Sequence, residues 1–281
     1  ADFGLGTWHP RGGMYKVVEG MVALAATLGV QFKTNATVSK IFTDANKNVN
    51  GLLLNGEKIE ADLVLSGADY HHTETLLDEN VRQYSEKYWD KKTFAPSSLL
   101  FYVGFDKKIK NASHHTLFFD TDFDAHAAEI YDHPKWPTDP LFYANFTSMT
   151  DPTSAPEGKE AGFFLIPLAP GIEDTEALRE QYFEKIMDRF ENLTHQEVRN
   201  SVLFKRSFCV NDFKEAYNSY KGNAYGMANT LMQTAFLRPN IKSSKVGNLY
   251  FTGQLTVPGP GVPPALISGK LASELIIKKQ S

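Results

Sequence analysis

Asn248-Leu-Tyr-Phe-Thr-Gly-Gln-Leu-Thr-Val-Pro-Gly-Pro-Gly-Val-Pro-Pro-Ala-Leu-Ile-Ser-Gly-Lys270 reads as strand, glycine turn, rigid loop and helix. Leu249 to Phe251 form a short apolar strand, Gly253 allows a sharp turn, and Pro258 to Pro264 hold an extended loop whose last prolines suit a first helical turn. A helix N-terminus placed there presents unpaired N–H groups and a positive dipole end to an anionic or electron-rich ligand. Ala265, Ser268, Gly269 and Ala272 give the helix one narrow face for close packing on a sheet. On pattern alone, a plain structural turn accounts for the loop equally well.

Working outward, the 281 residues suffice for one large or two ordinary domains with a sizeable core. A net charge of −4, from 29 basic and 33 acidic residues without a Lys/Arg block interleaved with aromatics, argues against a nucleic-acid partner. The single cysteine, Cys209, excludes an internal disulfide framework and a Cys-based zinc site, which fits a reducing, cytoplasmic setting. Sequons at Asn35, Asn111, Asn145 and Asn192 are discounted as chance matches in a chain rich in Asn and Thr. The longest apolar stretch, Met21 to Val30, is far shorter than the roughly 20 residues that span a bilayer. The first residues, Ala1-Asp-Phe-Gly-Leu-Gly-Thr-Trp, lack the basic and apolar regions of a signal peptide.

Met14 to Leu28 has the apolar spacing of a helix with one buried face, stopped by Gly29. Strands are expected at Val30–Phe32, Thr37–Phe42, Gly51–Leu54, Lys58–Glu60 and Leu63–Leu65, with turns at Asn50-Gly51 and Asn55-Gly56. From Tyr70 to about Val246 aromatics increase and α/β alternation stops, which suggests a second domain. Its expected strands are Ser98–Phe105, Thr116–Phe119, Leu141–Phe146, Gly162–Leu168 and Val202–Phe208. The helix Thr175–Phe190 carries one apolar stripe, better explained by core packing than by a membrane or partner face.

Four spaced motifs carry a resemblance. They are Pro10-Arg-Gly-Gly-Met, Leu65-Ser-Gly-Ala-Asp-Tyr-His-His-Thr, Tyr217-Asn-Ser-Tyr-Lys-Gly-Asn-Ala-Tyr-Gly, and the Asn248 stretch quoted above. In this order, from about residue 5 to 277, the chain resembles bacterial and fungal-type phytoene desaturases of the FAD-dependent, amine-oxidase-like superfamily. The resemblance implies an α/β fold with mixed α+β character, in which a mixed-sheet substrate domain is inserted into a Rossmann-like FAD-binding domain. Residues 1–69 and 247–281 would belong to the FAD domain and 70–246 to the substrate domain. The G-x-G-x-x-G fingerprint that holds the adenosine end of FAD in such enzymes has no match here. The nearest stretch, Gly4-Leu-Gly-Thr-Trp-His, lacks the third glycine, so the FAD domain is expected to be incomplete.

By the same resemblance, Gly253 would lie beside the ribityl-pyrophosphate portion of FAD, and Gly261, Val262 and Pro263 beside the flavin ring. Val38 would meet the adenine through its backbone, and Ala68 and Asp69 would lie near the nucleotide. For Asp69, capping of a Thr73–Leu77 helix is an equally good reading. The chain departs from the commoner family pattern at Gln254 and Pro264, where a small residue and glycine are usual.

Desaturating a hydrocarbon removes a hydride and a proton, and a flavin supplies the hydride acceptor that side chains cannot. A substrate such as phytoene has no polar handle, so shape must position it. Twenty Phe and twelve Tyr suit an apolar tunnel, although aromatics most often fill cores. Asp212 and Glu215 are the candidate proton acceptors, against a reading of Asp212 as a capped helix start, and Tyr220, Asn223 and Tyr225 are candidates to line the substrate cavity. The adjacent pairs His71-His72 and His114-His115 would point to opposite faces of a strand, and no metal site is expected. Cys209 reads as a packing residue.

These readings converge on FAD-dependent desaturation of a carotenoid, most directly phytoene, by an enzyme peripheral at a membrane surface. The alternatives are a desaturase of a later hydroxylated or cyclic carotene, a carotene isomerase, or a non-catalytic fragment.

Overall fold

The computed structural model describes Gly4, Gly6 and residues 8–280. The Gly4-to-His9 stretch and the start of the chain therefore lie partly outside the described residues. Helix α1 (Tyr15–Thr27) follows Met14 and ends before Gly29, as its spacing predicts, but none of its residues is buried. The stripe of Val17, Met21 and Leu24 faces outward instead of into a core. Periodicity encodes two unlike faces of a helix, not which neighbour covers the apolar one.

Strands β1 (Val38–Thr43), β2 (Val49–Leu54) and β3 (Glu57–Ile59) form an antiparallel meander. Asn55 and Gly56, both at positive φ, make the β2–β3 turn as expected. Asn50-Gly51 makes no turn. Gly51 sits inside β2, where a Cβ would lie 2.6 Å from the Ile59 carbonyl oxygen, so its glycine serves the close approach of β3. The β1–β2 turn is built instead by Asp44, whose Oδ1 accepts from the N–H groups of Asn46 and Asn48. Val30–Phe32 forms no strand.

Strand β4 (Val64–Ser66) leads through Asp69 into helix α2 (Tyr70–Thr75), and helix α3 (Glu86–Asp90) follows. A five-stranded antiparallel sheet comes next, built from β5 (Ser97–Phe105), β6 (His115–Phe118), β7 (Phe142–Asn145), β8 (Glu160–Leu168) and β9 (Val202–Phe208) in the order β6-β7-β8-β5-β9. Helix α4 (Phe123–Tyr131) lies between β6 and β7, and α5 (Glu176–Thr194) follows β8. The α5 stripe of Phe183, Ile186, Met187 and Phe190 packs with Phe101, Phe146 and Phe164 into one core. Burial along β8 alternates strictly, the mark of a sheet with one covered face. Helix α6 (Val210–Tyr217) leads away from β9, and β10 (Leu249–Phe251) and helix α7 (Val262–Gln280) complete the order.

A second core joins Ile41 and Val49 to Tyr70, Trp89, Phe94, Met227, Leu249 and Phe251, so it draws on both sides of the expected boundaries near 70 and 246. Tyr70 stacks on Phe251 with centroids 3.6 Å apart. Cys209, fully buried, packs in the first core, and burial pushes its thiol up to about 12. It is expected to resist a thiol reagent at neutral pH and to react once urea unfolds the chain; rapid native labelling would contradict this packing.

The pairing that positions the site is parallel. β10 runs beside β4 with Leu249 opposite Val64 and Phe251 opposite Ser66. Both strands therefore deliver their following turns, Gly67-Ala68-Asp69 and Thr252-Gly253-Gln254, to the same end of the sheet. Asn248 fixes this register: its carboxamide bonds the N–H and C=O of Val49 and the carbonyl of Asp62, tying the meander to β10.

Candidate functional site

At the carboxyl ends of β4 and β10 lies a cavity of about 660 Å³. Its walls come from the two turns, from Gly261, Val262 and Ala265 at the start of α7, and from Phe213 and Tyr217 on one face of α6. Crevices at the carboxyl ends of parallel strands are where α/β sheets bind ligands.

The Gly253 turn is clamped from behind. Its N–H donates to Ser268 Oγ at 2.8 Å, and that hydroxyl also bonds Thr252 Oγ1 at 2.6 Å. Ser268 and Ala272 are fully buried while Leu266 and Ile267 remain half exposed, so the small-residue face of α7 is the one packed on the turn. Gly253 has φ +102°, a conformation that disfavours side chains, and a Cβ there would find no protein atom nearer than the Gly67 carbonyl oxygen at 4.0 Å. The space in front of this backbone is open to a ligand.

Beneath the turn lies Arg238, 3 % exposed. Its guanidinium donates to the carbonyls of Gln254 and Met227 at 3.2 and 3.0 Å and to Asn229 Oδ1, and it underlies Gly259. Among the described residues no carboxylate pairs with it, its Nε finds no acceptor, and burial lowers its pKa. Neither this support nor the Ser268 clasp follows from the sequence pattern, although an Arg-Pro step in a stretch without acidic residues was a visible signal.

Asp69 is the one carboxylate among the described lining residues. It caps α2 by accepting from His72 N–H at 3.1 Å and also accepts from Tyr220 N–H at 3.2 Å. Burial raises its pKa, and the two N–H donors oppose that rise. A carboxyl whose folded pKa is raised holds its proton better folded than unfolded. Its stabilising contribution is therefore present at low pH and is lost as pH rises from the ordinary carboxylate range of about 4 through the folded value. Thermal melts across that window are expected to fall more for the native chain than for Asp69→Asn; parallel profiles would show that Asp69 is not desolvated.

Of the other residues singled out by sequence, Ala68, Gly253, Gly261, Val262, Asn223 and Tyr225 line this cavity. Asn223 is buried and rigid, accepting from Gly226 N–H at 2.6 Å and donating to the Tyr220 carbonyl at 2.7 Å. Pro263 is exposed and Val38 lies on the meander, neither among the lining residues. Tyr220 packs against His71 and Phe94 and donates its hydroxyl to Asp90 at 2.7 Å instead of facing the cavity.

The two expected proton acceptors need correction. Asp212 accepts from Cys209 N–H in a capping box and pairs with Arg179 at 2.7 Å, and Glu215 is exposed; neither lines the cavity. The periodicity of α6 turns Phe213 and Tyr217 inward and leaves Asp212 on the Arg179 side. His114 and His115 also differ from expectation, since their rings stack 4.4 Å apart instead of pointing to opposite faces.

A family model for flavin-containing amine oxidoreductases matches residues 1–277. The chain belongs to this family. Its cofactor is FAD, and a cavity backed by a glycine turn and a helix start, with open space before Gly253, suits such a ligand. Among similar curated proteins, the carotenoid 3,4-desaturase of Haloarcula japonica is 43 % identical, across 99 % of this chain and 56 % of its own length. The zeta-carotene-forming phytoene desaturase of Myxococcus xanthus is 31 % identical, across 98 % of this chain and 54 % of its own. This family member thus spans about half the length of the curated relatives it matches. Among solved structures, an oxidoreductase from Methanosarcina mazei shares the fold with a TM-score of 0.65 at 17 % identity, over 94 % of this chain and 55 % of that one. No helix among the described residues is long and apolar enough to cross a membrane.

Proposed function

We propose that this chain forms the flavin-ring and substrate side of an FAD-dependent carotenoid desaturase working at a membrane surface. The observation that carries the proposal is the cavity at the ends of β4 and β10, walled by the Gly253 turn, the start of α7 and the apolar face of α6. The 43 % identity to a carotenoid desaturase supports the substrate class.

Bound flavin supplies the hydride-accepting step. The chain's part is to seat the ring against backbone at Gly253 and Gly261 and to hold an apolar polyene against it. Leu255, Phe213, Tyr217 and Tyr225 offer the apolar surface for that positioning. Asp69, rather than Asp212 or Glu215, is the carboxylate available to take the proton, because it alone among the described lining residues can do so. Its raised pKa suits base work nearer neutral pH.

Phytoene is the substrate the sequence motifs favour. The higher identity to a 3,4-desaturase than to a phytoene desaturase favours a later carotene as a second reading. Incubating the FAD-loaded protein with phytoene, lycopene or a hydroxylated carotene, and analysing products by chromatography and mass, separates these. Loss of two hydrogens from one of them supports the proposal, and unchanged substrate in all three, with flavin bound, would sink it.

A further inference from the structure

We propose that a histidine-lined cavity at the β6 edge of the five-stranded sheet binds a hydroxyl group on the far end of an elongated polyene, and so selects a hydroxylated carotene over its hydrocarbon parent. The cavity, of about 410 Å³, is lined by His9, Arg11, His114, His115, Thr150 and Asp151. The Nε2 atoms of His9 and His114 are shielded from solvent and have no hydrogen-bond partner among the described residues. Their rings meet at centroids 5.2 Å apart, and Asp151 Oδ2 lies 3.9 Å from the His9 nitrogen, beyond hydrogen-bond reach. Buried polar atoms are costly to leave unpaired, so two of them facing one cavity point to a polar ligand. The rings are held for it: His114 Nδ1 bonds Thr150 Oγ1 at 2.6 Å and His115 Nδ1 bonds the Tyr143 hydroxyl at 2.5 Å.

The lining favours a neutral group. Asp151 is buried, and Thr153 Oγ1 together with the Gly12 N–H holds its carboxyl down to about 2, so it is ionised. Burial, and then the His115 and His9 rings beside it, lower the pKa of His114, which keeps that ring neutral at pH 7. With Arg11 offset by Asp151, an anion gains no net attraction. A hydroxyl both donates and accepts, so it can pair with an imidazole Nε2 in either tautomer.

The sheet connects this cavity to the one at the ends of β4 and β10. On the face away from the α5 core, centroids lie 5.3 Å apart from Tyr102 to Phe163, 6.2 Å from Phe163 to Tyr143 and 5.9 Å from Tyr143 to His115. This line of rings crosses β5, β8, β7 and β6 in turn. At its other end Tyr102 lies within electrostatic reach of Tyr217, which walls the first cavity. The sheet is about 19 Å across from β6 to β9 at ordinary strand spacing, so only an elongated apolar molecule can touch both cavities.

This inference rests on the proposed carotenoid desaturase and selects, within it, the hydroxylated substrate. The test is binding of lycopene and of a monohydroxylated lycopene to the purified chain in detergent micelles, followed by quenching of tryptophan fluorescence, since Trp8 also lines the cavity. The hydroxylated carotene is expected to bind about tenfold more tightly, the effect of one well-made hydrogen bond. His9→Phe/His114→Phe is expected to erase that preference and leave the affinity for lycopene unchanged. If this variant lowers the melting temperature, the native chain decides: the imidazole nitrogen resonances of His9 and His114 are expected to move with the hydroxylated carotene and not with lycopene. Equal affinity for the two carotenes, binding of neither, a preference kept by the folded variant, or unmoved resonances overturns the proposal. Titration with FAD is a separate signal. Flavin binding without a hydroxyl preference sinks this inference alone, and a hydroxyl preference without flavin binding sinks the desaturase reading alone.

Discussion

Replacing Gly253 with valine is expected to abolish saturable FAD binding while lowering stability only modestly. At φ +102° a β-branched residue carries strain of about 1–3 kcal/mol, which sets the stability loss. The Cβ itself adds no clash with the rest of the fold, because beyond the adjacent residues the nearest atom, the Gly67 carbonyl oxygen, is 4.0 Å away. The branched side chain instead occupies the space in front of the turn, where the backbone is to meet the cofactor. Isothermal titration with FAD and a thermal melt separate the two effects. A folded variant that binds flavin normally would refute the placement of the cofactor at this turn.

Arg238→Met is expected to be the most destabilising of the substitutions considered, by roughly 3 kcal/mol or more. Methionine conserves much of the apolar volume but leaves the carbonyls of Met227 and Gln254 and the Asn229 carboxamide without their donor. Each buried acceptor left unpaired costs about 1–3 kcal/mol, and part of that is offset by removing a desolvated charge that pairs with no carboxylate among the described residues. Arg238→Lys restores the charge but not the fork that reaches several acceptors, so it is expected to recover only part of the loss. Urea unfolding followed by tryptophan fluorescence is a suitable readout, since Trp89 is fully buried in the adjoining core. Because the guanidinium underlies Gln254 and Gly259, flavin affinity is expected to fall with stability. An unfolding midpoint close to that of the native chain would show that the turn does not depend on this support.

How legible the fold was depended on how local its causes are. The strand Leu249–Phe251, the Gly253 turn and the small-residue face of α7 are written in consecutive residues, and the structure places them as read. The α5 stripe is equally local and appears as core. Gly51 was misread because an Asn-Gly pair marks a turn only when no strand lies close enough to need the missing Cβ, and β3 does. The outward face of α1 shows the limit of periodicity, which cannot name a partner.

The site was legible in part for the same reason. Ala68, Asp69, Gly253, Gly261 and Val262 belong to motifs that sit at chain turns, and they meet at the cavity. Asp212 and Glu215 have the chemistry of a base and lie close to a motif, but the rotation of their eight-residue helix keeps both out of the cavity lining. Arg238 and Ser268 act through contacts made 15 or 16 residues away along the chain, with Gly253 and Gln254, which no local pattern encodes.

The central claim is that the cavity at the ends of β4 and β10 is a flavin seat in this chain. Titrating the purified protein with FAD and following flavin fluorescence and the visible spectrum tests it most directly. Saturable quenching with a shifted flavin band, lost in Gly253→Val, is the predicted result. A flavin spectrum unchanged at every protein concentration, from a chain that circular dichroism shows to be folded, would contradict it.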